Sequence, residues 1–450
     1  MNYDFNQKRA IVNISGPLLL IAGPGSGKTA TMIERLHHMV TAEKIRPERI
    51  LVITFSRAAA KEMKERFAKR IFPVENKVLF GTFHSIFLKM IRSYYKERFD
   101  LKLCTDQFRN KIVKDLLLEN GYDFIIKEFI DEVILDITLF KNSNADITMF
   151  RPLSSDMDTF LKIYSGYERM LRKNSFFDFD DIIILMKQFL ENDPFICRYW
   201  QKCFDFILID EFQDINEPQF DIVRLLSEIH KNVFAVGDED QSIYGFRGSR
   251  PEIMLDFGRY FNDCKKIQLS NNYRSGQNIV EAAKALISNN KNRYAKTFRA
   301  ANRFKGEVNL LEFSDKESQN RYMKKILAVQ NEETIAVLCR TNALKSEYTH
   351  HFTCYSDRVR FLTIHESKGL EFDNVWIPEV MEAYYPYRHK RFGCNEEEER
   401  RIFYVGMTRA AKRLYLSYFT KGKRRRLQRS VYLDEICKND KNSFYVQKLR

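Results

Sequence analysis

Residues 21–29 read IAGPGSGKT, and the three residues before them are LLL. An apolar run, a glycine-rich turn and then helical spacing describe a strand, a phosphate-holding loop and a helix. Gly23, Gly25 and Gly27 let backbone N–H groups turn inward around an anion. The helix that opens at Lys28 aims the positive end of its dipole at the same point. Lys28 would reach the β- and γ-phosphates of a nucleotide, and the Thr29 hydroxyl would ligate Mg²⁺. The loop (Ala22, Gly23, Pro24, Gly25, Ser26, Gly27, Lys28, Thr29) departs once from the G-x-x-x-x-G-K-[ST] pattern, with Ala22 at the first glycine.

Such a loop needs carboxylates from a second strand. FILIDEFQD (206–214) supplies them. Its apolar run delivers Asp210 at the carboxyl end of a strand, where open α/β sheets bind ligands. Asp210 would hold Mg²⁺ through water, and Glu211 would polarise an attacking water. A third string, VFAVGDEDQSIYGFRGS (233–249), begins as another buried strand and ends in a polar, aromatic loop. Gln241 is placed to sense a γ-phosphate. Tyr244, Phe246 and Arg247 offer two π faces and a cation. They suit either a stacking platform for single-stranded nucleic acid or ordinary core packing.

Composition narrows the class. The 450 residues have room for two or three domains. Net charge is +14, which suits a polyanionic partner such as nucleic acid and also suits a lysine-rich composition without one. The eight cysteines form no C-x-x-C pair, which disfavours a zinc or iron–sulfur centre and fits a reducing cytoplasm. No run of 18 apolar residues suggests a membrane span, and MNYDFNQKRA lacks an apolar signal core. The expected location is cytoplasmic, with no membrane partner.

Further strings accompany these in order: ILVITFSRAAAKEM (50–63), GTFHSIF (81–87), FFDFDDII (176–183), LSNNYRS (269–275), FLTIHESKGLEFDNVWIP (361–378) and EEEERRIFYVGMTRAAKRLYL (396–416). Together they resemble the UvrD/Rep/PcrA family of superfamily-one DNA helicases, from about residue 3 to about residue 436. The resemblance implies ATP and Mg²⁺ as cofactors. It implies adenine contact by Gln7 and the Tyr273 ring, and Glu371 near the ribose and phosphates. Arg274 and Arg409 become arginine fingers alongside the catalytic Lys28, Asp210, Glu211 and Gln241. It places DNA contacts at Thr54, Phe55, Phe83, His84, Tyr244, Phe246, Arg247 and His365. Phe246 stands where many members have tryptophan, Arg57 where many have asparagine, and Ala30 where arginine is common. His84 and His365 also suit purely structural roles.

The fold class expected is α/β: two RecA-like P-loop parallel-sheet motor domains, with a helical subdomain inserted in the first. Residues 1–88 and 176–270 would form the first motor domain, and 89–175 the helical insertion, with Phe160, Ile163, Tyr164, Tyr167, Met170 and Leu171 on one face. Residues 271–450 would form the second motor domain, with strands at IAVLC, VRFLTI, NVWIPE and RLYLSY. Between IAVLCRTNA (335–343) and the 361–378 string there is room for a loop or a single turn, so the second helical insertion of larger family members is expected to be missing. KGKRRRLQRS (421–430) is a basic run, either solvated or in contact with phosphates. SVYLDEI after it is expected to be ordered.

The function expected from this resemblance is an ATP-dependent 3′→5′ helicase or translocase on single-stranded DNA and 3′-tailed duplexes. The alternative is a strand-stimulated ATPase subunit of a repair, defence or mobile-element complex, relying on a protein partner in place of the missing subdomain. A binding module with a dead site is disfavoured, because Lys28, Thr29, Asp210, Glu211, Gln241, Arg274 and Arg409 are all present.

Overall fold

The computed structural model describes residues 3–72, 76–95, 102–123, 125–144, 146–147, 149–329, 333–355, 357–388, 394–422, 426–438 and 446–449. The chain divides into two compact units. The first comprises Met1–Ile21, Lys28–Gly237 and Tyr244–Gln268. The second comprises Leu269–Arg450 together with two loops from earlier in the chain, Ala22–Gly27 and Asp238–Ile243.

The first unit is built on a six-stranded sheet. Its strands are β1 (Leu18–Ala22), β2 (Ile50–Thr54), β3 (Leu79–Thr82), β4 (Phe206–Ile209), β5 (Val233–Gly237) and β6 (Lys265–Leu269). Their order is β3-β2-β4-β5-β1-β6. The pairs β3/β2, β2/β4, β4/β5 and β5/β1 are parallel. Strands β1, β2 and β5 are buried at every position, as a parallel sheet covered on both faces requires. Parallel pairing brings the carboxyl ends of five strands to one edge. Ala22, Thr54, Thr82, Ile209 and Gly237 therefore release their loops side by side.

Between β3 and β4 the chain leaves the sheet. The helices Asp106–Glu119, Lys127–Lys141 and Met157–Lys173 pack around Val113, Leu117, Phe160, Ile163 and Tyr167. A two-stranded parallel ladder, Lys102–Leu103 with Phe176–Phe177, closes this helical excursion at its root. Lys141 then meets Asp178, Asp181 and Glu168 at 2.8, 2.6 and 2.7 Å.

The second unit carries a six-stranded sheet of its own, in which every neighbouring pair is parallel. Its strands are β7 (Glu307–Phe313), β8 (Ile335–Cys339), β9 (Val359–Thr363), β10 (Phe372–Ile377), β11 (Ala410–Phe419) and β12 (Val446–Leu449), in the order β9-β8-β10-β11-β7-β12. Four of these were expected; β7 and β12 are additions. In β7, Glu307 is exposed and Val308 and Asn309 half-buried, so the run lacks the continuous apolar signature of its neighbours.

The connection from β8 to β9 also differs from the loop or single turn expected. It holds a ten-residue helix, Asn342–His351, capped by the Thr341 hydroxyl on the Leu344 N–H. Tyr348 on this helix is buried, donates to Glu379 and accepts from Gln319. In the basic run, residues 423–425 lie outside the described residues. Arg429 pairs with Asp434 on the helix Val431–Lys438.

Candidate nucleotide and nucleic-acid sites

In the first unit, the end of β4 and the start of the helix Lys28–Thr41 bring Lys28 beside Glu211, next to Asp210 in the chain. Glu211 takes a left-handed backbone conformation (φ 51°, ψ 44°), which turns the chain sharply after the strand. Its carboxylate lies 3.5 Å from Lys28 Nζ and accepts from Gln213 Nε2. Asp210 is buried, and its Oδ1 has no hydrogen-bond partner. Burial, reinforced by the Glu211 charge and opposed by Lys28, pushes the Asp210 carboxyl up to about 7. A buried, unsatisfied carboxylate oxygen beside a second acid is what a divalent cation would satisfy. Thr29 sits half-buried in the first turn of the helix; with Asp210 it offers the oxygen donors that Mg²⁺ would take.

Gln7 lies in the helix Phe5–Val12 and is nearly buried. Its Oε1 accepts from the Asp4 N–H at 2.9 Å while the Asp4 carboxylate caps the Gln7 N–H, so the oxygen is committed to a capping box. Arg35 anchors this helix by donating to the Ala10 and Asn13 carbonyls.

The second unit holds the glycine-rich turn Ala22–Gly27 and both Arg274 and Arg409. Gly25 and Gly27 have positive φ, at 64° and 81°. A Cβ on Gly25 would stand 2.7 Å from Arg274 Cβ, and one on Gly23 would enter the Phe298 ring. The Tyr273 N–H donates to the Gly25 carbonyl at 2.8 Å, and the Tyr273 ring is 44% exposed. Arg274 donates through Nε to Glu371 at 2.7 Å. These groups line a cleft of about 650 Å³ with Phe372 and Asp373. Arg409 is buried and donates to the Val405 and Leu370 carbonyls and, through Nη2, to Gln241 Oε1 at 3.2 Å.

A second cleft, of about 850 Å³, lies in the first unit and is lined by Phe55, Phe83, His84, Phe179, Phe246 and Arg247 among others. Phe55 stacks on Tyr244 with centroids 4.8 Å apart, and Arg247 lies over Tyr244 and Phe246. His84 stacks on Phe179 at 3.9 Å.

Comparison with known proteins bears on both sites. The family model described as UvrD/REP helicase N-terminal domain matches residues 3–262. The chain belongs to the UvrD/REP helicase family. A model of the UvrD-like helicase C-terminal domain matches residues 267–353 and 342–421. The chain is 37% identical over 350 residues to the putative ATP-dependent DNA helicase YjcD of Bacillus subtilis, covering 75% of this chain and 46% of that protein. It is 32% identical over 350 residues to the ATP-dependent DNA helicase PcrA of Staphylococcus aureus, covering 75% and 47%. It is 33% identical over 309 residues to the ATP-dependent DNA helicase Rep of Buchnera aphidicola, covering 64% and 45%. The chain thus spans about half the length of the curated relatives it matches.

Within this UvrD/REP architecture the two sheets are the two RecA-like α/β domains. The first unit gathers Lys28, Asp210 and Glu211; the second gathers Gln241, Tyr273, Arg274, Glu371 and Arg409. Phe55, His84, Tyr244, Phe246 and Arg247 line or border one cleft. Thr54 is buried, with its hydroxyl donating to the Ser56 carbonyl. Phe83 is only 6% exposed and packs on Phe87. His365 belongs to the second unit and is half-buried. Sequence reasoning overlooked Lys368, whose Nζ donates to the Gln241 carbonyl at 2.7 Å, and the acidic trio Asp238–Glu239–Asp240 that surrounds Lys296. Both lie within quoted strings, but their partners are remote in sequence, so the contacts gave no local signal.

Proposed function

We propose that this chain hydrolyses ATP to move 3′→5′ along single-stranded DNA and to open duplexes ahead of it. The observation that carries the reading is the buried, unpartnered Asp210 Oδ1 beside the Lys28–Glu211 pair, at the carboxyl edge of a parallel sheet. Mg²⁺ held by Thr29 and Asp210 would supply charge neutralisation at the phosphates. Lys28 binds the β- and γ-phosphates, and backbone N–H groups of the glycine loop cradle them. Glu211 orients a water and receives its proton. Gln241 and Arg409 meet the γ-phosphate, and Arg274 supplies a second cation. The exposed Tyr273 face takes the adenine. Phe55, Tyr244, Phe246 and Arg247 support bases without reading their sequence, as stacking platforms do. The relatives PcrA and Rep, ATP-dependent DNA helicases, and YjcD, a putative one, support the substrate.

Strand separation on matched duplexes with a 3′ or a 5′ tail tests this directly. ATP-dependent opening of the 3′-tailed duplex alone is expected, and Glu211→Gln should reduce turnover by roughly 10²-fold or more. Opening from the 5′ tail would overturn the polarity. Strand-stimulated ATP turnover without opening would show a translocase that needs a partner. No turnover at all would overturn the reading.

A further inference from the structure

Gln241 is held from four sides within the second unit. Its Nε2 donates to Asp238 Oδ2 at 2.6 Å, and its Oε1 accepts from Arg409 Nη2 at 3.2 Å. Its own N–H donates to the Asp238 carbonyl, and its carbonyl accepts from Lys368. A carboxylate at one end of the amide and a guanidinium at the other allow one orientation only. Reversing it would set NH₂ against the cation and oxygen against the anion. The facing of the Gln241 carbonyl is therefore decided by where the Asp238 carboxylate stands.

Asp238, in turn, is placed by Lys296. The side chains of Lys296, Asp238, Glu239 and Asp240 are fully buried. Lys296 Nζ contacts Asp238 Oδ1 and lies 2.7 Å from Glu239 Oε1 and 2.8 Å from Asp240 Oδ2. Arg293 adds a bidentate grip on Asp240 at 2.9 and 2.6 Å. The three acids lie close enough together to hold a metal ion, but the lysine ammonium already fills that position. Its three donors go to three carboxylates, an arrangement that fixes the loop rather than catalyses anything itself.

We infer that Lys296 is a positioning residue for ATP hydrolysis, acting through Asp238 to aim the Gln241 amide at Arg409 and at the γ-phosphate. Residues 293–296 follow the helix Gln277–Ile287, so this contact ties the sensor loop to the segment after the arginine-bearing NYRS string. The inference rests on the proposed ATPase activity.

The test compares two variants that each remove one negative charge from the Lys296 shell. Asp238→Asn breaks the line to Gln241. Glu239→Gln leaves it intact, because Glu239 touches Lys296 and the Tyr294 N–H but not Gln241. A purely structural cluster predicts equal effects. The positioning role predicts that Asp238→Asn lowers kcat for ATP at least roughly tenfold with KM within about twofold, while Glu239→Gln stays within about twofold on both. Lys296→Met should follow Asp238→Asn in kcat if it folds, and the Asp238/Glu239 contrast stands if it does not. Equal losses in the two single variants, or a loss confined to KM, would overturn the inference. A wild-type chain with no ATP turnover would instead overturn the activity on which it rests, so the two failures are distinguishable.

Discussion

The His84 imidazole is stacked on Phe179, and its Nε2 is buried with no hydrogen-bond partner. Burial, helped by the nearby Arg57 charge, pulls its pKa down to about 4. The unfolded chain binds a proton at His84 near pH 6.5, whereas the folded chain refuses it until about 4. Between those values the unfolded state holds more protons, so stability rises with pH across the window and is lost as pH falls through it. The loss attributable to His84 is on the order of 3 kcal/mol by pH 4. Urea midpoints measured from pH 7 to pH 4 should fall less steeply in His84→Phe, which keeps the stack but removes the titration. Parallel curves for the two proteins would refute the assignment. The strings FHSIF and LKMI already place Phe83, Ile86, Phe87, Met90 and Ile91 at helical spacing, all buried in the helix Phe83–Tyr95. The reading of Phe83 as a DNA contact passed over that periodicity, and the environment of His84 depends on Phe179, nearly a hundred residues away, which no local pattern shows.

At the scale of elements, the helical excursion is joined to its root through Lys141. Burial works against the Lys141 charge, but Asp178, Asp181 and Glu168 outweigh it and hold the ammonium protonated. Tyr167 adds a hydrogen bond to Asp178. Lys141→Met would leave buried carboxylates without a cation and should cost roughly 3–5 kcal/mol in urea unfolding. Arg172→Ala, which removes an exposed partner of Glu168, should cost less than about 1 kcal/mol. Similar costs for both would mean that the buried lysine is not the fastening. Fully buried strands such as Leu18–Ala22 and Ile335–Cys339 were readable because both faces demand apolar side chains. Strand β7 was not, since its half-exposed start breaks that pattern. The helix Asn342–His351 has a readable start in Thr341, three residues before Leu344, but its weakly apolar sequence carries no strong helical stripe beyond that cap.

For the whole molecule, a net charge of +14 makes counterion release a large part of any binding to a nucleic-acid strand. Affinity for an oligonucleotide of mixed sequence should fall linearly on a log–log plot against salt. The loss should be roughly tenfold or more for a fourfold rise in concentration. Fluorescence anisotropy across a salt series measures the slope, and a flat response would exclude a phosphate-led interaction. The order of motifs along the chain disclosed the two-sheet plan, because strings such as IAGPGSGKT and VFAVGDEDQ follow strands buried at every position. The allocation of Ala22–Gly27 and Asp238–Ile243 to the second unit could not be read from that order, because it depends on packing partners such as Phe298 and Arg409.

The strand order β3-β2-β4-β5-β1-β6 sorts the loops at the sheet edge by task. The loop after β2 carries Phe55, a proposed polynucleotide contact, and those after β4, β5 and β1 carry the proposed nucleotide chemistry. Only the segment after β5 carries both, with Gln241 and Tyr244 three residues apart. For an engineer, this is a separable layout: the β2 loop can be exchanged to retune which polymer is gripped while the proposed hydrolytic loops stay as they are. The segment 238–247 is the part that any such redesign must leave alone.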